Sequence, residues 1–178
     1  MSPEGVLDAV PAEDRGLVAA AFSALDAAPA DVRAHSRRMI AIARDLGGAE
    51  PVDLGLLAAA CCVHDLGMLP EGRRRWPGRS FAERSSALLA ALAAEHDVAP
   101  DRTQLWCVAV RDHLKVRGGP GETVEASLLR RAAWLDATRI GAAEDRKRVR
   151  ALHLDQRAGP SVRLLVRVGA SLVSDRFR

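Results

Sequence analysis

The chain has 178 residues, of which 48% are hydrophobic and only 3% aromatic, with no tyrosine and a net charge of +3. That length suits one domain, and a core so poor in rings must be built from Ala, Leu and Val, of which Ala and Leu favour helix over strand. Three cysteines, Cys61, Cys62 and Cys107, two of them adjacent in an apolar run, exclude a disulfide framework; buried free thiols are expected instead.

Along the chain the apolar period is that of helices and strand alternation is absent. The opening MSPEGVLDAVPAEDRG has no basic segment followed by an apolar one, so no signal peptide is expected and the cytoplasm is the expected compartment. Helices are predicted over 12–27, 30–46, 53–66, 80–96, 101–116, 122–142, 145–153 and 161–176. Their breaks are punctuated by Gly47-Gly48 with Pro51, by Pro70, Gly72, Pro77 and Gly78 in a predicted loop, by Pro100, by Gly118 to Gly121, and by Gly159-Pro160. The longest uncharged apolar stretch, Leu54 to Val63, is too short to cross a bilayer. From Arg139 onward ten Lys or Arg face four Asp or Glu, which reads as the solvated face of terminal helices; no nucleic-acid module is present, so a nucleic-acid partner is not expected. With no repeat and no long linker, the expectation is an all-α, compact bundle of seven to eight helices. It forms a single domain over 1–178, with a core at 30–142 and the terminal helices packed on it. A homo-oligomer is allowed by the composition and not required by it.

The informative residues interrupt the apolar stripes. In 30–46 the stripe Val32, Met39, Ile42, Leu46 includes His35. The stretch DLGLLAAACCVHDLGML is apolar nearly all round and ends in His64-Asp65. In 101–116, Trp106, Ala109 and Val110 lead to His113 on one face; in 122–142, Leu129, Ala132, Ala133 and Ile140 surround Asp136. Three imidazoles and two carboxylates therefore point inward from four helices. An unpartnered buried carboxylate is costly, and one divalent ion satisfies the set: two neutral imidazoles with two carboxylates suit Zn, Fe or Mn. Taken one at a time, an inward His is more often a hydrogen-bonded core residue, and an inward Asp a cap or an ion-pair partner.

With these residues in place the chain resembles the HD-domain superfamily, whose pattern is a His, an adjacent His-Asp pair and a distant Asp. The matching segments are AHSRRMIAIARDLG, LLAAACCVHDLGML and LLRRAAWLDATRIG. The resemblance implies metal ligands at His35, His64, Asp65 and Asp136. Within the superfamily, VHDLGML, RSFAERSSALLAAL, LWCVAVRDHL and SLLRRAAWLDATRIG are similar, in that order, to the cyanamide hydratase-like branch, which binds one metal and adds water to a small nitrile. The chain departs from that branch at Ser80, between Arg79 and Phe81, and at Leu114. The extra His of two-metal members has no counterpart in Ser80 to Arg84, which implies one metal; His96, at the far end of that helix, is expected to serve the helix C-terminus, and His153 to be structural or solvated.

The expected chemistry is hydrolysis with metal-activated water. Asp65 is expected to bind metal and to orient the water or take its proton, and His113 to donate a hydrogen bond or proton to the substrate; its alternative is an ordinary core histidine. Arg139, three residues after Asp136, and Arg79, in the loop EGRRRWPGR with Arg73, Arg74 and Arg75, are expected near a small-molecule substrate. That substrate would be a phosphomonoester or nucleotide, or a cyanamide- or nitrile-like molecule by branch resemblance. The alternative of another class is a non-catalytic HD-like module that binds a ligand or partner.

Overall fold

The computed structural model describes residues 3–48, 51–139, 141–152 and 162–176. Among them there is no strand; in chain order they form α1 (Pro3–Leu7), a 3₁₀ turn (Ala12–Asp14), α2 (Arg15–Asp26), α3 (Ala30–Gly47), α4 (Leu54–Val63), a second 3₁₀ turn (Leu66–Met68), α5 (Pro70–Arg75), α6 (Phe81–Glu95), α7 (Pro100–Asp112), α8 (Val124–Thr138), α9 (Ala143–Ala151) and α10 (Val162–Arg176). The fold is all-α, as the composition requires. The eight longer helices coincide with the eight predicted segments, and α1 and α5 are additions.

The bundle is built around α4, whose residues Gly55 to Val63 are all buried. It packs on α2, α3 and α7 and also touches α6 and α8. Three consecutive alanines, Ala58 to Ala60, leave room for neighbouring backbones, while Leu56 and Leu57 fill the space between them; burying a leucine is worth about 1.5–3 kcal/mol. Around it, Met39 and Ile42 of α3, Leu89 of α6, Trp106 of α7 and Leu129 of α8 complete one continuous core.

Caps explain where the helices begin and end. The Asp53 carboxylate accepts from the Leu56 N–H at 3.0 Å and opens α4. Ser80 and Glu83 form a capping box at the start of α6, and the Thr123 hydroxyl accepts from the Ala126 N–H to open α8. Three predicted ends shift. Helix α4 stops at Val63, with His64 as its cap and Asp65 leading into the second 3₁₀ turn. Helix α7 stops at Asp112, with His113 as its cap. Helix α8 stops at Thr138 because Arg139 adopts a left-handed conformation, φ 61°. Pro70, read from sequence as a breaker, instead occupies the first turn of α5, where its missing N–H costs nothing.

One fully buried guanidinium ties three elements together. Arg84 of α6 donates through Nε to the Gly67 carbonyl at 2.7 Å and through Nη1 to the Arg79 carbonyl, and it faces the Asp175 carboxylate of α10 at 3.4 Å. Gly67 has to be glycine: a Cβ there would lie 2.1 Å from the Phe81 carbonyl oxygen. The 3₁₀ turn that follows Asp65 is therefore pressed directly against α6.

Candidate metal centre

His35 is buried on α3, one turn before Met39; His64 and Asp65 sit at the end of α4; His113 caps α7; Asp136 is buried in the last turn of α8. The structure thus brings together the five polar residues that interrupt the apolar stripes. The His35 and His64 Nε2 atoms are 3.2 Å apart, and Asp65 Oδ2 lies 3.4 Å from His64 Nε2 and 3.8 Å from His35 Nε2. The other Asp65 oxygen, Oδ1, lies 3.6 Å from His113 Nε2.

The outer nitrogens fix the ring tautomers. His64 Nδ1 is 2.9 Å from the Cys61 carbonyl and His113 Nδ1 is 2.5 Å from the Val110 carbonyl. A carbonyl only accepts, so both Nδ1 atoms carry the proton. His35 Nδ1 donates to Asp136 Oδ2 at 2.7 Å. In the neutral imidazoles all three Nε2 atoms therefore present bare lone pairs to the centre. Two such lone pairs 3.2 Å apart repel unless a cation or a proton stands between them. His35, His64 and Asp65 each offer a ligand atom, and these atoms all lie within 4.8 Å of one another. A two-His, one-carboxylate set of this kind fits Zn, Fe or Mn.

Asp136 stands behind this trio rather than in it. Its Oδ1 accepts from Arg38 Nε and its Oδ2 from Arg38 Nη2, each at 2.7 Å, while Oδ2 also holds His35. Both oxygens are thus committed to the outer nitrogen of His35 and to a bidentate guanidinium. The sequence reading missed Arg38, although its place one turn along α3 from His35 was available as a signal.

Charges follow the geometry. Burial opposes ionisation of Asp65, yet His64, His113 and His35 together hold its carboxyl well below the usual range. Burial likewise opposes charge on His64, but Asp65 outweighs it and raises the imidazole pKa. For His113 burial prevails, reinforced by His64, and its pKa is lowered, which favours the neutral ring. Its Nε2 is buried without a hydrogen-bond partner among the described residues. Asp136 is held low because His35 and Arg38 overcome its burial. The thiols of Cys61, Cys62 and Cys107 are all raised by burial and are free, in keeping with their reading as core residues.

A cavity of about 80 Å³ opens on His35, His64, Asp65 and His113. Its far walls are apolar: Leu114, Ala133 and Trp134 from one side, and Leu164, Leu165 and Val168 of α10 from the other. Besides the Trp134 indole, Thr138 is the other polar side chain on it, and among the described residues no Lys or Arg lines it. Neither Arg79 nor Arg139 is on its walls: Arg79 is exposed, and the left-handed turn at Arg139 ends the helical face that would have carried it past Asp136. The remaining loop arginines also go elsewhere. Arg73 donates to Ser171 and Ser174 of α10, Arg74 pairs with Glu71, and Arg75 lies over the Trp76 ring. His96 caps α6 with its ring against Gly16; His153 lies outside the described residues. Lys115 pairs with Asp112 at the surface.

No described helix is long and apolar enough to cross a membrane. The family model for the HD domain matches residues 32–138, more than half of the chain, and that span contains His35, His64, Asp65, His113 and Asp136. No curated protein matches the chain.

Proposed function

The chain belongs to the HD domain family, and from that premise we propose that it is a metal-dependent hydrolase or hydratase acting on a small, uncharged molecule. Members of this family are generally metal-dependent phosphohydrolases, and the His35, His64 and Asp65 group could hold the metal. The observation that carries the narrower reading is the cavity. At about 80 Å³ with apolar far walls and no cationic side chain among the described residues, it suits a substrate of a few heavy atoms and lacks, among those residues, what a phosphate dianion needs. A nitrile or cyanamide is of that size and polarity, in line with the branch resemblance of VHDLGML and LWCVAVRDHL.

In this reading His35 and His64 bind through Nε2 and Asp65 through Oδ2. When bound, the divalent ion supplies a Lewis acid and brings water toward ionisation near neutrality. Asp136 and Arg38 orient His35 by fixing its Nδ1 proton, as carboxylates behind metal-bound histidines do. Asp65 Oδ1, turned toward His113, accepts the proton of the attacking water. His113 is neutral with Nδ1–H committed to Val110, so its Nε2 accepts a hydrogen bond from water or substrate. The sequence led to the expectation of a donor; the Val110 carbonyl on Nδ1 supports the acceptor role instead. Leu164, Leu165 and Val168 give the far side an apolar wall.

The test is turnover by the metal-loaded chain on a panel of small nitriles and cyanamide beside phosphomonoesters and nucleotides. Hydration of the small neutral compounds supports the proposal. Turnover of phosphomonoesters alone overturns it in favour of the commoner family reaction. Metal bound with no turnover on either set overturns it in favour of a non-catalytic module.

A further inference from the structure

A second, larger cavity shares no lining residue with the metal centre. It measures about 730 Å³ and lies among the end of α2, the second 3₁₀ turn, α5, α6 and α10. Its floor is apolar: Ala24, Leu66, Leu69, Leu88 and Leu92, of which Leu69, Leu88 and Leu92 are only half-buried against the core. Half-covered leucines around a concavity of this size are unusual on a surface otherwise rich in charge.

The rim is cationic. Arg74, Arg75 and Arg167 line it, with Glu71 as the single carboxylate among the described residues. Among the described residues none of the three guanidiniums is saturated. Arg74 pairs with the exposed Glu71 of its own helix, and Arg167 reaches Asp31 through Nε at 3.2 Å. Arg75 lies 4.6 Å from the Trp76 ring centroid and makes no ion pair among the described residues. A guanidinium has five N–H donors, so each retains several for a ligand, and exposed pairs such as Arg74–Glu71 are weak competitors.

From this juxtaposition of a half-covered leucine floor with three under-used guanidiniums we propose a binding site for a free amphipathic anion, an apolar chain bearing a carboxylate or similar head. The chain lies on Leu69, Leu88 and Leu92, and the head meets Arg74 and Arg75 beside the Trp76 ring. The site is independent of the metal chemistry. It is joined to it through the short turn that carries Asp65 at its start and Leu66 and Gly67 on the cavity wall, and through α10, which gives Arg167 to this cavity and Leu164, Leu165 and Val168 to the other.

The experiment is calorimetric titration of the full chain with decanoate below its micelle concentration, beside decyltrimethylammonium, decyl maltoside and phosphatidylglycerol vesicles. Two variants accompany it: Ala27→Trp, which places a ring in the cavity from an exposed position, and Arg74→Glu/Arg75→Glu, which reverses the rim charge. The expected result is one decanoate per chain, with the cationic and neutral detergents at least about tenfold weaker. Each variant should weaken decanoate by about tenfold or more, the effect of losing a charge-assisted hydrogen bond or the apolar floor, while circular dichroism and Tm stay as in the parent. No saturable decanoate binding overturns the proposal. So does equal binding of the decyl cation, unchanged affinity in both variants, or binding to vesicles without binding to decanoate.

Discussion

At the scale of single residues the centre depends on which nitrogen of each imidazole carries the proton. Arg38 and Asp136 decide this for His35, and removing the guanidinium leaves a buried carboxylate with half its partners. Arg38→Met is expected to destabilise the chain by about 3 kcal/mol, the usual cost of breaking a buried pair from one side, read as a lower urea midpoint at unchanged m-value. Asp136 also gives the acid limb a sign. Its folded pKa is depressed, so its contribution to stability is complete above the ordinary carboxyl value near 4 and is lost as pH falls below that toward the folded value. In metal-stripped protein the stability difference between the parent and Asp136→Asn should therefore shrink as pH drops below about 4; a difference constant with pH would show that the carboxylate is not held low. His113→Ala should keep its metal and lose most of its turnover, because the ring faces Asp65 Oδ1 and lies outside the group whose ligand atoms converge. Metal loss from that variant would make His113 a ligand, and full activity would make it an ordinary core residue.

At the scale of elements, α10 has the most to do with what the centre admits, although it lies outside the segment matched by the family model. Its buried Leu164, with Leu165 and Val168, lines one side of the small cavity. Its polar side is fastened by Arg73 on Ser171 and Ser174, by Arg84 opposite Asp175, and by the Phe81 N–H donating to Asp175 at 2.7 Å. Asp175→Ala should cost about 1–3 kcal/mol by leaving the Arg84 guanidinium and the Phe81 N–H with fewer partners. The loosening should be local: hydrogen exchange should speed up across 162–176 while α4 stays protected. Uniform acceleration would mean that α10 and the bundle unfold as one unit.

At the scale of the whole molecule, the proposed ligands come from α3 and from the junction after α4, so a metal bound there links two packed elements. An ion that binds only the folded state at a hundred times its Kd adds about 2.7 kcal/mol, which corresponds to a Tm shift of roughly 5–10 °C for a chain of this size. Chelation should lower Tm by that amount, and elemental analysis before chelation should give about one divalent ion per chain. An unchanged Tm would place the metal at a peripheral site; two ions per chain would bring His113 into the ligand set.

The sequence by itself determined the all-α class, the buried α4 and the inward direction of five polar residues, because a period of 3.6 places His35 with Met39 and Asp136 with Ala132 and Ala133 whatever the helices pack against. Resemblance then put His35, His64, Asp65 and Asp136 into one set. Only the tertiary structure shows what each of them contacts: Asp136 accepts from Arg38 and from the outer nitrogen of His35, a pairing between α3 and α8 that no local pattern encodes. It also decided the reach of the arginines. Arg79 and Arg139 are near the site in sequence, but Arg79 precedes the capping box of α6, Arg139 ends α8 in a left-handed conformation, and neither lines the small cavity. Both cavities belong to the same category, since each is a space between elements distant along the chain, and its size and polarity depend on how α10 comes to rest against α3, α5 and α6.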